Sequence, residues 1–279
     1  MPSRLPATTA PPVTPLAAPR RRRRLNILGV RVDDSPLEES VAHCARLLRL
    51  PPGGAGGRLR QVTTVNPEFV MQAQRDGAFR AVINGADLAT ADGAGIVLAA
   101  RLLGRPLRGR TTGVALTERL AALAAAAGYR LFLLGAAPGV AAEAGRIWTA
   151  RYPGLAIAGA YPGSPAAGED AEITARITAA GADLLFVAFG APAQDQWIAR
   201  NAAALPTVRL ALGVGGVFDY LTGRVPLAPL RWRQLGLEWL YRLYQQPWRW
   251  RRMLALPAFV LAVLGQRYGL RIADGRFSV

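Results

Sequence analysis

The sequence predicts an α/β fold, and three observations carry that reading. Short apolar strand-like runs alternate with helical segments through the middle of the chain. Three of those strands end in glycine turns: Leu134-Gly135-Ala-Ala-Pro-Gly139, Phe189-Gly190-Ala-Pro192 and Leu212-Gly213-Val-Gly215-Gly216. Beyond about residue 226 the strand signals stop and a Trp/Arg/Leu-rich helical sequence takes over. The alternation implies a Rossmann-like parallel sheet with helices on both faces. The last segment implies a helical, basic C-terminal appendage.

Residues 1–19 are rich in Pro, Ala and Thr without apolar periodicity, and read as a disordered tail. Arg20 to Arg24 follow, and the run imitates the start of a signal peptide. The next residues become charged too soon for an apolar signal core, so they read as a strand over 25–32. A helix is expected at 37–50, a Gly-rich loop at 51–57 and a strand at 59–64. Helices follow at 67–83 and 93–103 around a short strand at 87–91. A helix at 113–127 leads into a buried strand at 129–135. Helix 138–151, strand 155–159, helix 169–180, strand 183–189, helix 192–204 and strand 208–214 complete the pattern. The expected divisions are a basic tail over 1–24, a core over 25–226 and an appendage over 227–279.

Composition narrows the function. Apolar residues make up 51% of 279, which excludes a chain disordered throughout. The net charge is +16 and its cationic side is all arginine, since no lysine occurs. Together with the abundance of Ala, Gly and Pro this points to GC-rich coding, so single surface arginines say little about guanidinium-specific recognition. Arg20 to Arg24 contribute +5, and nine arginines against Glu238 and Asp274 in 231–279 contribute +7. The centre is therefore nearly balanced, with two basic ends that suit a polyanionic partner. One cysteine, Cys44, excludes an intrachain disulfide. It adjoins the one histidine, His43, in an apolar-periodic run, which favours a helix position near the core over a metal site.

Several constellations can carry chemistry. Gly135-x-x-x-Gly139 opens a helix after a strand, where helix N-termini favour phosphate, although such turns also use glycine for steric reasons. Thr63-Thr64-Val65-Asn66-Pro67 sits where a strand hands over to a helix. Thr64 and Asn66 can present a hydroxyl and an amide to a sugar or phosphate, or Asn66 can simply cap the helix with Pro67 at its first position. Asp92-Gly93-Ala-Gly95 follows a short strand. Asp92 there is placed to take a proton from an acceptor hydroxyl, or alternatively to cap the next helix. Arg110 can face a diphosphate or stand as one more solvated charge beside Arg101, Arg105 and Arg108.

Thr64-x-Asn66-Pro67, Ala86-Asp87-Leu88 through Asp92-Gly93-x-Gly95, Arg110-x-x-Gly113 and Phe132-Leu-Leu-Gly135 occur in order. Pro138-Gly139, Tyr152-Pro153, Phe189-Gly190-x-Pro192-x-Gln194, Gly213-x-Gly215-Gly216-x-Phe218-Asp219 and Leu237-Glu238-Trp239-Leu-Tyr241-Arg242 complete the series. This set resembles the WecG/TagA/CpsF family of bacterial glycosyltransferases (glycosyltransferase family 26) over roughly residues 25–265. The resemblance implies an inverting, metal-independent hexosyl transfer from a UDP-sugar to a polyprenyl-diphosphate-linked acceptor, N-acetylmannosamine or its uronic acid being the sugars of the best-known members. It implies Asp92 as catalytic base with Thr64 in support. Substrate contacts are expected from Asn66, Gly93, Arg110, Gly135, Gly139, Gln194, Gly215 and Asp219. It also implies that the appendage docks on the membrane and helps close the site.

Two departures touch the donor. The usual Pro-Lys-Gln-Glu reads Pro192-Ala193-Gln194-Asp195, losing a cation that would face the diphosphate. The Gly-Tyr-Phe-like segment reads Gly159-Ala-Tyr161-Pro-Gly163. No Asp-x-Asp occurs to hold a divalent cation, so neither metal nor cofactor is expected, and the leaving UDP falls to N–H groups, helix N-termini and arginines.

Four of six tryptophans fall within 232–250, interleaved with arginines. Arg231, Trp239, Arg242 and Arg249 are the residues expected at an anionic membrane surface or the lipid acceptor. A helical hairpin packed on the core with its arginines in water is the other reading. The longest apolar run, 253–264, is interrupted by Pro257 and falls short of the ~18–20 residues that span a bilayer. With the resemblance, this implies a peripheral location on the cytoplasmic face of the bacterial membrane, with self-association left open and no nucleic acid as partner. A basic nucleic-acid-binding α/β protein is the competing class, without a recognisable binding motif. A Rossmann oxidoreductase lacks the Gly-x-Gly-x-x-Gly order after its first strand.

Overall fold

A computed structural model describes residues 22–52, 59–229, 231–232, 235–247, 255–269, 271–273 and 276–278. Arg249, the greater part of the basic tail and most of the 51–57 loop lie outside them. The strand expected over 25–32 is a hairpin of two, β1 (Arg23–Ile27) and β2 (Val30–Asp34), so the folded chain begins before residue 25. Leu28 and Gly29 both take positive φ, 52° and 79°, which makes a two-residue turn of the hand that suits twisted strands. A leucine in that conformation is rare, so no Asn-Gly-type signal advertised the turn.

After α1 (Leu37–Arg49) and β3 (Arg60–Val65), the helix expected over 67–83 divides into α2 (Pro67–Arg75) and α3 (Gly77–Gly85). Asp76 causes the break, because its carboxylate accepts from Phe79 N at 2.8 Å and starts a second helix. β4 (Leu88–Ala91), α4 (Ala94–Leu102), α5 (Gly113–Ala127), β5 (Arg130–Gly135) and α6 (Val140–Arg151) follow. Next come β6 (Ala156–Tyr161), α7 (Asp170–Ala179), β7 (Leu184–Ala188), α8 (Ala193–Asn201), β8 (Leu210–Gly213) and α9 (Val217–Leu221).

The strands form one sheet in the order β1-β2-β4-β3-β8-β7-β5-β6, parallel throughout except for β1. Every residue of β3, β4, β7 and β8 is buried, as expected when helices cover both faces. On one face α1, α5, α6 and α9 close over Val62, Leu133, Phe186 and Leu212. There the buried Trp148 meets Phe186 and Phe218 edge-on at 5.8 and 6.1 Å. α2, α3, α7 and α8 cover the other face. His43 and Cys44 lie on α1, with Cys44 fully buried.

The appendage corrects two expectations. The described part of the apolar run 253–264 belongs to α11 (Ala255–Arg267), which follows α10 (Glu238–Gln245) and packs on α2 and α4. Phe259, 1% exposed, and Val263 join the core there. Pro257 does not interrupt this helix because it falls in the first turn, where its missing N–H has no intrahelical partner to lose. Strand structure also reappears, as the ribbon of β9 (Arg271–Ala273) and β10 (Arg276–Ser278). No helix among the described residues is long and apolar enough to cross a membrane.

Candidate active site

The parallel strands release their carboxyl ends along one edge of the sheet, and the expected site residues gather there. β3 and β4 are neighbours in a register that sets Thr64 against Thr90 and Val65 against Ala91. Asp92 N donates to Val65 O at 2.8 Å, so the residue just past β4 is still fastened to β3. Asp92 does not cap α4. Gly93, at φ 86°, takes that position itself, and the Asp92 carboxylate turns to α5, accepting from Gly113 N at 3.0 Å. The positive end of a helix dipole thus faces a carboxylate.

Gly113 is where the pair converges. A Cβ on it would lie 3.3 Å from Thr64 Oγ1 and 3.5 Å from Asp92 Oδ2. A buried hydroxyl and a half-buried carboxylate therefore meet over a residue with no side chain of its own. Gly95 is needed for a different reason: a Cβ there would fall 2.5 Å from Pro67 Cγ, so α4 and α2 begin in contact. Asn66 follows the capping alternative, its Oδ1 accepting from Phe69 N at 3.0 Å with Pro67 at the first helical position.

Arg110 is held by an ion pair. Its Nη2 meets Glu238 Oε1 at 2.9 Å, tying the site to the start of α10. The segment carrying Arg110 is fixed by Asp34 at the end of β2. Asp34 accepts from Arg108 N at 2.8 Å and Arg108 Nε at 3.2 Å, while Thr111 N bonds Ala91 O at 2.9 Å.

The glycine turns separate into two kinds. Gly135 is steric, since a Cβ would sit 2.7 Å from the carbonyl carbon of Ala188 on β7. Gly139, Gly190 and Gly215 have positive φ of 82°, 76° and 55° and open space around them. The connection from β5 leaves toward β6 and that from β7 toward β8, so a crevice opens between their ends, the usual ligand position in open α/β sheets. β8 lies between β3 and β7, so its turn joins this crevice to the Thr64–Asp92 pair. From β3 to β5 the edge spans three strand spacings, roughly 14 Å.

Gln194 stands beneath that edge rather than on it. It is 3% exposed, and its Oε1 accepts from Gly215 N at 2.9 Å. A Cβ on Gly213 would meet its amide at 2.5 Å. Its contribution is to hold the β8 turn in shape. Asp219 is half-buried on α9, its carbonyl accepting from Val225 N at 3.2 Å. Sequence reasoning quoted Asp195, next to Gln194, without giving it a role; its carboxylate is fully buried without a hydrogen-bond partner of normal geometry. Burial pushes it up to about 6, against the opposing pull of Thr63, Gln194 and Gln61. An acid beside Gln194, two residues before the apolar Trp197-Ile198 pair, was the available signal. Gly113 was quoted in a motif without a role, and only the chain crossing shows that it joins Thr64 to Asp92.

In the appendage, Arg231 is exposed, Trp239 is 41% exposed, and Leu235 and Tyr244 are 73% and 77% exposed. Arg242 belongs to α10. Among the described residues no three His, Cys, Asp or Glu side chains gather as a metal site.

A family model described as "Glycosyl transferase WecG/TagA/CpsF family" matches residues 25–273. Two relatives share the name N-acetylglucosaminyldiphosphoundecaprenol N-acetyl-beta-D-mannosaminyltransferase. The one from Bacillus spizizenii is 37% identical over 203 residues, 73% of this chain and 78% of its own. The one from Bacillus subtilis is 35% identical over 204 residues, with the same coverage of each chain. The chain therefore belongs to the WecG/TagA/CpsF family and is a glycosyltransferase.

Proposed function

We propose that the chain moves an N-acetylmannosamine-type hexose from a UDP-sugar to an undecaprenyl-diphosphate-linked saccharide. The transfer inverts the anomeric centre, needs no metal, and serves synthesis of a cell-surface polysaccharide, teichoic acid or exopolysaccharide. The observation that carries this reading is the convergence of Asp92 and Thr64 on Gly113 at the edge where the strands end. The names of the two relatives support the sugar and the acceptor.

Asp92 accepts the proton of the acceptor hydroxyl as that oxygen attacks the anomeric carbon. The bond to UDP breaks on the opposite face, and its electron pair leaves with the diphosphate. Gly113 N–H holds one carboxylate oxygen and so fixes the direction in which the base points. Thr64 supplies a hydroxyl beside it. The open turns at Gly139, Gly190 and Gly215 offer backbone N–H groups to the departing diphosphate, with Gln194 keeping the third in place. Ala193, where the family carries lysine, leaves this part of the site with less positive charge. The exposed Leu235, Trp239 and Tyr244, with the basic charge of the appendage, support peripheral binding at the cytoplasmic membrane face.

A UDP-release screen over UDP-sugars, with a short polyprenyl-diphosphate-linked acceptor, tests the reading. Asp92→Asn is expected to lower kcat by about 10²–10⁴-fold with little change in donor KM. Wild-type kcat in that variant would remove Asp92 from the role of base.

A further inference from the structure

A cavity of about 470 Å3 lies between α2, the turn after β7 and α11. Its apolar walls are Phe69, Met71 and Phe79 on one side, Pro192 at the top and Ala255 and Ala258 on the other. Phe69 and Phe79 pack with ring centroids 5.3 Å apart and are nearly inaccessible, so that wall is fixed. Ala255 and Ala258 are three residues apart and share one face of α11. Larger side chains at either would fill the space. The charged lining residues, Glu68 and Arg75, stand near the two ends of α2, and the wall between them is interrupted by Gln72. Seven residues of helix separate them, roughly 10 Å.

Two of its lining residues adjoin the reaction edge along the chain. Phe69 is the residue whose N–H is capped by Asn66, two positions beyond Thr64. Pro192 begins α8 immediately after the Gly190 turn. The opposite wall belongs to the appendage, whose α11 also exposes Leu261. We infer that this cavity holds the first isoprene units of the acceptor's hydrocarbon chain while its diphosphate-linked sugar reaches Asp92. The inference rests on the proposed polyprenyl acceptor and deepens it by assigning a place to the lipid. At roughly 30 Å3 for a group the size of a water molecule, the space admits about 15 carbons, or about three isoprene units. Burial of an alkyl chain contributes about 0.8 kcal/mol per CH₂, so such a site discriminates acceptors by chain length.

The test uses the full chain in detergent and a farnesyl diphosphate bearing a terminal diazirine. Photolabelling is expected in peptides containing Met71, Phe79 or Ala258, with loss of label when unlabelled polyprenyl phosphate competes. Ala258→Trp is expected to abolish that labelling. The same variant should raise KM for a long-chain acceptor about ten-fold relative to its KM for a single-isoprene acceptor. Label confined to Leu235, Trp239 and Tyr244, or cavity label that persists in Ala258→Trp, overturns the inference. An unchanged ratio of the two KM values does so as well. Failure of the functional reading looks different: wild-type protein then glycosylates no polyprenyl-linked acceptor, while labelling still reports whether the cavity takes the chain.

Discussion

Two aspartates show how position decides what a carboxylate does. Asp92 is half-buried, faces the start of α5 and receives an N–H, which suits an ionised base. Asp195 is fully buried among Thr63, Gln61 and Gln194, with its proton affinity raised to about 6 by desolvation. The unfolded chain releases that proton near pH 4, whereas the folded chain holds it to about pH 6. Stability attributable to Asp195 therefore declines as pH rises from about 4 to about 6 and is level above that. Two pKa units correspond to roughly 3 kcal/mol. Asp195→Asn keeps the shape and stays neutral. It is expected to match wild type near pH 4.5 and to exceed it by roughly 1–3 kcal/mol at pH 7.5, read from urea midpoints. If the difference between variant and wild type does not change across that window, the buried carboxylate is not the titrating group.

At the scale of elements, legibility followed local chemistry. α5 occupies the expected 113–127 because both its ends carry signals: Thr112 accepts from Ala115 N at 3.2 Å, and Gly128 stops the helix at φ 72°. The pair α2 and α3 also had a signal in Arg75-Asp76-Gly77, but continuous apolar periodicity masked it. The β1–β2 hairpin had a weak one, Asn26 Oδ1 accepting from Gly29 N at 2.8 Å, and its turn is also held from 238 residues away. Gln266 on α11 accepts from Leu28 N at 2.8 Å and donates to Asn26 O at 3.0 Å. That long-range bridge offsets the cost of a left-handed leucine, and no local reading of residues 25–32 can contain it. The candidate site divided the same way. Asp92 and Thr64 were visible as motif residues and the cap on Asn66 as a local signal, but the pairing of Arg110 depends on Glu238, 128 residues away. Gln266→Ala is expected to cost about 1–3 kcal/mol by leaving both hairpin groups without their partner. Differential hydrogen exchange should locate the loosening at residues 26–29, and a variant as stable as wild type would show the turn to be self-sufficient.

For the whole molecule, the question is how a chain of charge +16, with no spanning helix among its described residues, reaches the proposed lipid-linked acceptor. The ion pair Arg110–Glu238 links the loop beside Asp92 to α10, so the appendage and the site share a mechanical connection. Removing 231–279 is a poor test of membrane docking, because it also strips Phe259 and Val263 from the core and Gln266 from the hairpin. Exposed residues separate the two effects. Replacing Leu235 and Tyr244 together by serine changes little that is buried, so each change is expected to alter stability by no more than about 0.5 kcal/mol. If these side chains enter the headgroup region, the double variant loses liposome affinity about ten-fold or more, while its unfolding midpoint stays near that of wild type. Binding of wild type to anionic vesicles should also fall with added salt, since each cation near the surface contributes about 1 kcal/mol at physiological ionic strength. Undiminished binding by the double variant would assign membrane attachment to charge alone and confine the apolar role of the appendage to packing α11 on the core.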